Sequence, residues 1–196
     1  MRVRDIDILI VPGWGANSAD HWQSRWARNL NTARIVEQDD WDRPDRERWV
    51  DRIVAAAKAC RRPAVLVAHS CGVAAVVHAA SGLAGSPVVG AFLVAPPDLE
   101  VRGPIEAFMR ERGGGVTYPD SFVPLPMNPL PFPSKLIGSS TDPYCSVERA
   151  QQLGAAWHSD VSIIAGAGHI NTASGHGPWP EGLLTFGLFL RRLGPH

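Results

Sequence analysis

The chain has 196 residues, 45% of them hydrophobic, and its 19 basic and 19 acidic side chains cancel to zero net charge, which predicts a single domain spanning 1–196 with a core that needs no disulfide or metal. A pI near 7.1 supplies no global field to draw nucleic acid or anionic lipid, and those partners are not expected. Three cysteines, Cys60, Cys71 and Cys145, lack metal-ligand spacing, which suits reduced thiols in a cytoplasmic protein and suggests no zinc site.

The first apolar run, Ile8 to Pro12, is too short for a signal segment, and no stretch approaches the roughly 18 apolar residues that would span a bilayer. Read in chain order, a strand from Ile6 to Val11 is followed by a helix from about Asp20 to Leu30. Next come a strand from Ala33 to Val36 with a helix from about Asp45 to Cys60, and a strand from Ala64 to Ala68 with a helix to Ser81. The alternation continues with Val88 to Ala95 and a helix near Pro104 to Glu111, Lys135 to Ser139 and a helix from Ser146 to Trp157, then Val161 to Ile164 and a helix from Pro180 to Leu193. Asp20 and Ser146 suit N-caps, Pro104 and Pro180 suit first turns, and Gly82 suits a helix end. These βα units number six and predict a mostly parallel sheet with helices on both faces, a three-layer α/β sandwich whose strands read as continuous apolar runs. Ligands then bind beyond the strands' C-terminal ends. Gly113 to Pro133 carries three consecutive glycines and six prolines, too many for regular structure; it is either an irregular segment near the site mouth or a surface strap.

Reactive residue types gather where the strands end. Residues 65–72, Val-Leu-Val-Ala-His-Ser-Cys-Gly, run from a strand into a helix through a serine bracketed by small residues. Such a turn lifts the Ser70 hydroxyl out of the sheet as a candidate nucleophile and aims the Cys71 N–H at the same point, half of an oxyanion hole. The first strand ends in Pro12-Gly-Trp-Gly, where the Trp14 N–H is a candidate second donor, the alternative being a plain glycine turn. Asp142 follows the fifth strand, either as the carboxylate that orients an imidazole or as an ordinary Asp-Pro turn. His169 follows the sixth strand on a glycine-bearing loop. Serine, aspartate and histidine thus stand in the chain order of an α/β-hydrolase. His21 and His176 could face the site from flanking loops, His78 suits packing or surface, and His158 and His196 suit the surface. Of the seven tryptophans, Trp14, Trp22 and Trp179 either line an aromatic substrate pocket or belong to the core; Trp26, Trp41, Trp49 and Trp157 suit helix packing.

Four pieces carry a resemblance to the small serine hydrolases of the YdeN and retinoblastoma-binding protein 9 type: Val11-Pro-Gly-Trp-Gly, Asp20-His-Trp-Gln-Ser-Arg-Trp, Ala68-His-Ser-Cys-Gly, and the long Gly168-His-Ile-Asn-Thr-Ala-Ser-Gly-His-Gly-Pro-Trp-Pro-Glu-Gly. The resemblance spans nearly the whole chain. It implies a minimal α/β-hydrolase fold without a large helical lid, with nucleophile, acid and histidine at Ser70, Asp142 and His169. Ala68 departs from the usual first elbow glycine, the residue best suited to unusual backbone angles. The expected chemistry is acyl transfer to water from a small-molecule ester, thioester or activated amide, with no cofactor. The alternatives are an acyltransferase or thioesterase on the same acyl-enzyme, and a protein-interaction module with little catalysis.

Overall fold

The computed structural model describes residues 1–113 and 115–194; Gly114 of the glycine run and His196 lie outside them. Its strands are β1 (Asp7–Val11), β2 (Ala33–Ile35), β3 (Ala64–His69), β4 (Val88–Val94), β5 (Ser134–Ser139) and β6 (Asp160–Ile164). Its helices are α1 (Trp22–Asn29), α2 (Arg46–Lys58), α3 (Cys71–Ala79), α4 (Arg102–Arg112), α5 (Val147–Ala156) and α6 (Pro180–Arg192). The strands form one six-stranded sheet in the order β2-β1-β3-β4-β5-β6, and every neighbouring pair is parallel.

The strands read as unbroken apolar runs because successive side chains feed two different cores. Leu9, Val11, Leu66, Ala68 and Leu93 pack with α2, α3 and α5 on one face. Ile8, Ile10, Val65, Val67 and Phe92 pack with Trp22 and Trp26 of α1 and Phe186 and Phe189 of α6 on the other. The two layers bring all six strand C-termini to one edge, where the site lies.

Helix starts follow local chemistry. The Ser146 hydroxyl accepts from the Arg149 N–H at 3.1 Å and the Asp45 carboxylate from Arg48 N–H at 3.0 Å, while Pro180 opens α6. Asp20, expected to cap α1, is instead occupied by the Arg25 guanidinium, and the cap falls to His21, whose Nδ1 accepts from the Gln23 N–H at 3.2 Å. Gly82 does not end a helix; it sits inside a 3-10 turn, Ala80–Leu83, that continues α3. Among its described residues the Pro-rich segment is irregular apart from the 3-10 turn Asp120–Phe122, and it is anchored by Phe122, Leu125 and Phe132, all buried in the α2/α3/α5 core. Among the described residues no helix is long and apolar enough to cross a membrane.

Candidate active site

Ser70 sits between β3 and α3 with φ 54° and ψ −128°, a backbone conformation that costs a non-glycine residue free energy and is retained only where the surroundings enforce it. Its N–H is tied to the Val94 carbonyl of β4 at 3.0 Å. Two glycines let neighbouring segments close in. A Cβ on Gly72 would stand 2.5 Å from the Pro12 carbonyl oxygen, so α3 can begin against the end of β1 only with glycine there. A Cβ on Gly13 would lie 2.9 Å from Ser70 Cβ, so the β1–α1 turn presses directly on the serine. Ala68, where the usual elbow has glycine, is fully buried in the core.

His169 Nε2 lies 2.8 Å from Ser70 Oγ. Its Nδ1 lies 2.9 and 3.0 Å from the two Asp142 oxygens, and since a carboxylate only accepts, Nδ1 carries the ring proton and Nε2 is left as the acceptor for the serine hydroxyl. The Asp142 side chain is 1% exposed, and one of its oxygens also accepts from the Tyr144 N–H at 2.9 Å. The loops carrying acid and histidine are cross-tied: the hydroxyls of Ser140 and Thr141 accept from the N–H groups of Gly166 and Gly168, each at 3.0 Å. From the other side His69 Nε2–H donates to the His169 carbonyl at 2.9 Å, and the Trp22 indole N–H donates to the Ile170 carbonyl at 3.0 Å.

The cleft above Ser70 is lined by Gly13, Trp14, His21, Cys71 and His169 together with residues of α4 and its approach. Trp22 and Trp179 do not line it. Trp22 is fully buried and Trp179 is 5% exposed, packed edge-to-face beneath the site against α1 and α6. Sequence does not distinguish a tryptophan facing the cleft from one facing the second core; only the packing of α1 on α6 decides it. His176 stacks edge-on against Trp179, outside the cleft lining. His78 meets the Phe122 carbonyl at 2.9 Å, away from the site.

Among the residues that sequence reasoning missed are Leu99, Ile105, Phe108, Arg112 and Tyr144, all of which line the cleft. Ile105, Phe108 and Arg112 stand three and four residues apart, one face of a helix, and that spacing was the available signal. Phe108 packs between Trp14 and Tyr144, with ring centroids 5.1 and 6.2 Å away, and Tyr144 stands edge-on to His169 at 4.6 Å. Arg112 closes the mouth over Gly15, where a Cβ would meet its Cζ at 2.7 Å, and pairs with Asp42 at 2.9 Å.

The imidazoles beside His169 are held neutral. Burial, then His169 and His176, hold His21 down at about 4. Burial, then His169 and His21, push His69 well below the ordinary histidine range, against the raising effect of its bond to the His169 carbonyl. Burial also pushes the Cys71 thiol up to about 12, which leaves it protonated and a poor nucleophile at neutral pH. Among the described residues no cluster of three or more His, Cys, Asp or Glu side chains is placed to hold a metal ion.

An exposed-edge serine hydrogen-bonded to an imidazole, itself braced by a buried carboxylate, is the arrangement that activates a hydroxyl for attack on a carbonyl. A YdeN-like hydrolase from Pectobacterium atrosepticum is 30% identical over 98% of this chain and 94% of its own, with a TM-score of 0.79. The fold also matches the ydeN gene product of B. subtilis (18% identity, 93% and 98% coverage, TM-score 0.65) and mouse alpha/beta hydrolase domain-containing protein 10 (17%, 96% and 90%, 0.69). No curated protein matches at the sequence level. The family model described as serine hydrolase matches residues 8–187, nearly the full length, and the chain therefore belongs to the serine hydrolase family.

Proposed function

We propose that Ser70, His169 and Asp142 form a catalytic triad that hydrolyses small esters, thioesters or activated amides through an acyl-enzyme. The observation that carries this reading is the continuous relay from Asp142 to His169 Nδ1 at 2.9 Å and from His169 Nε2 to Ser70 Oγ at 2.8 Å. Ser70 Oγ attacks the carbonyl carbon as its proton passes to His169 Nε2, and Asp142 stabilises the imidazolium that forms. The N–H groups of Trp14 and Cys71 hold the oxyanion: Cys71 is the first residue of α3, where the N–H has no partner within the helix, and the adjacent Gly13 brings the Trp14 turn against Ser70. The tetrahedral intermediate collapses, the bond to the leaving group breaks, and His169 returns the proton to the departing oxygen, sulfur or nitrogen. Water, deprotonated by His169, then attacks the acyl carbon and frees Ser70. On this reading the whole chain is one hydrolase domain acting on a small molecule. The free thiols of Cys60, Cys71 and Cys145 support a reducing, cytoplasmic setting.

The test is turnover of p-nitrophenyl acetate by wild type and Ser70→Ala. Ser70→Ala should lower kcat on the order of 10^6-fold with the thermal unfolding midpoint preserved. Activity within tenfold of wild type in the folded variant would overturn the assignment.

A further inference from the structure

The cleft has two unlike walls. One is apolar and aromatic, formed by Leu99, Ile105, Phe108, Tyr144 and the Trp14 indole. The other comes from the β1–α1 turn and the segment after His169 and is polar, with Asn17, Ser18, His21 and Thr172.

Most of that polar wall is already engaged. Asn17 Nδ2 donates to Gln23 Oε1 at 2.8 Å, and the Ser18 and Thr172 hydroxyls bond each other at 3.0 Å. His21 is different. It is 4% exposed, and its Nδ1 is used as the acceptor of the Gln23 N–H, which fixes the proton of the neutral ring on Nε2. That Nε2 is buried and has no hydrogen-bond partner among the described residues. A buried donor left unmade costs free energy, so a group that serves it is expected. Helix capping does not account for the imidazole, because capping uses Nδ1 alone and a shorter side chain performs it as well.

We infer that the His21 Nε2–H is a recognition donor for an uncharged oxygen of the substrate, so that the enzyme selects molecules with an apolar part for the Phe108–Tyr144 wall and an ether, hydroxyl or carbonyl oxygen for the His21 wall. The inference rests on the triad reading above and adds the substrate class to it. Charge has no place in this selection. Arg112 at the mouth is paired with Asp42, and burial keeps His21 and His69 neutral, so a carboxylate or ammonium would enter the cleft without a free counter-charge among the described residues, at a desolvation cost.

The experiment uses two isosteric pairs in which an ether oxygen replaces one methylene: 2-methoxyethyl against butyl acetate on the alcohol side, and ethyl 3-methoxypropanoate against ethyl pentanoate on the acyl side. The ratio of kcat/KM within each pair cancels the folded fraction of any variant. His21→Asn keeps a capping oxygen but falls short of the Nε2 position, while the amide nitrogen of His21→Gln reaches it. For one pair, the side of the substrate that meets His21, the preference for oxygen should fall about tenfold in His21→Asn, as for the loss of one hydrogen bond, and be retained in His21→Gln. Ratios unchanged within twofold for both pairs in His21→Asn would overturn the inference while leaving the triad standing. A wild type that turns over neither these esters nor p-nitrophenyl acetate would instead sink the hydrolase reading, and this one with it.

Discussion

Replacing Asp142 by asparagine separates the electrostatic role of the carboxylate from its shape. One Asp142 oxygen is shared between the Tyr144 N–H and His169 Nδ1, each at 2.9 Å, and the other meets Nδ1 alone at 3.0 Å. The Tyr144 N–H can only donate, so an asparagine places its carbonyl oxygen there and its NH2 group at the second position, beside Nδ1. Hydrogens then face each other, which favours the imidazole tautomer protonated on Nε2 and deprives Ser70 Oγ of its acceptor. The variant also loses the charge that offsets the imidazolium, at a side chain only 1% exposed, where solvent cannot substitute for it. The combined loss should be about 10^4 in kcat, or about 5.4 kcal/mol of barrier. KM should stay within a few-fold, because Asp142 does not line the cleft. Steady-state hydrolysis of p-nitrophenyl acetate reads both constants. A kcat within tenfold of wild type would refute the reasoning and mean that His169 is oriented by another group.

Two further outcomes follow from the packing and titration of the site. Gly72→Ala puts a methyl group 2.5 Å from the Pro12 carbonyl oxygen and nearer still to that of Val11; both are backbone atoms of the elbow's neighbour, so stability should fall by about 1–3 kcal/mol, read as a Tm lower by roughly 2–4 °C per kcal/mol. An unchanged Tm would show that α3 is not pinned against β1. His21 and His69 are buried neutral, with His21 at about 4, so the unfolded chain binds protons that the folded chain refuses. Their contribution is fully present above about 6.5 and is lost as pH falls toward 4, each histidine adding a slope of at most about 1.4 kcal/mol per pH unit. Urea unfolding at pH 7 and pH 5 should therefore show a loss of stability that His21→Asn reduces, and equal slopes in the two proteins would contradict it.

The fold was legible because parallel strands buried on both faces leave unbroken apolar runs, and all six stand within a residue or two of where such runs predict them. The Ser70, Asp142 and His169 positions were legible for a related reason: a strand's C-terminal end can be read from where its apolar run stops, and reactive residue types just beyond it are few. The walls of the cleft were legible only in part: Trp14 and His21 line it as expected, and the rest was hidden. Trp22 and Trp179 look like pocket aromatics in sequence, yet the second core claims them, and the Trp22 indole N–H holds the Ile170 carbonyl behind His169. Phe108 lies on a polar helix with only Ile105 buried, and its place beside Trp14 and Tyr144 depends on how α4 folds back over the sheet edge, a tertiary fact. His21 was visible as a loop histidine, but its fixed tautomer depends on the Gln23 N–H, which meets Nδ1 because α1 begins at Trp22 and leaves His21 at the cap position.

The central claim is that Ser70 is an activated nucleophile. Intact-mass spectrometry after treatment with a fluorophosphonate, followed by peptide mapping, tests it most directly. The account predicts a single adduct on wild type, located on Ser70 and missing from Ser70→Ala. A folded wild type that takes up no adduct, or one labelled at another residue, would contradict it.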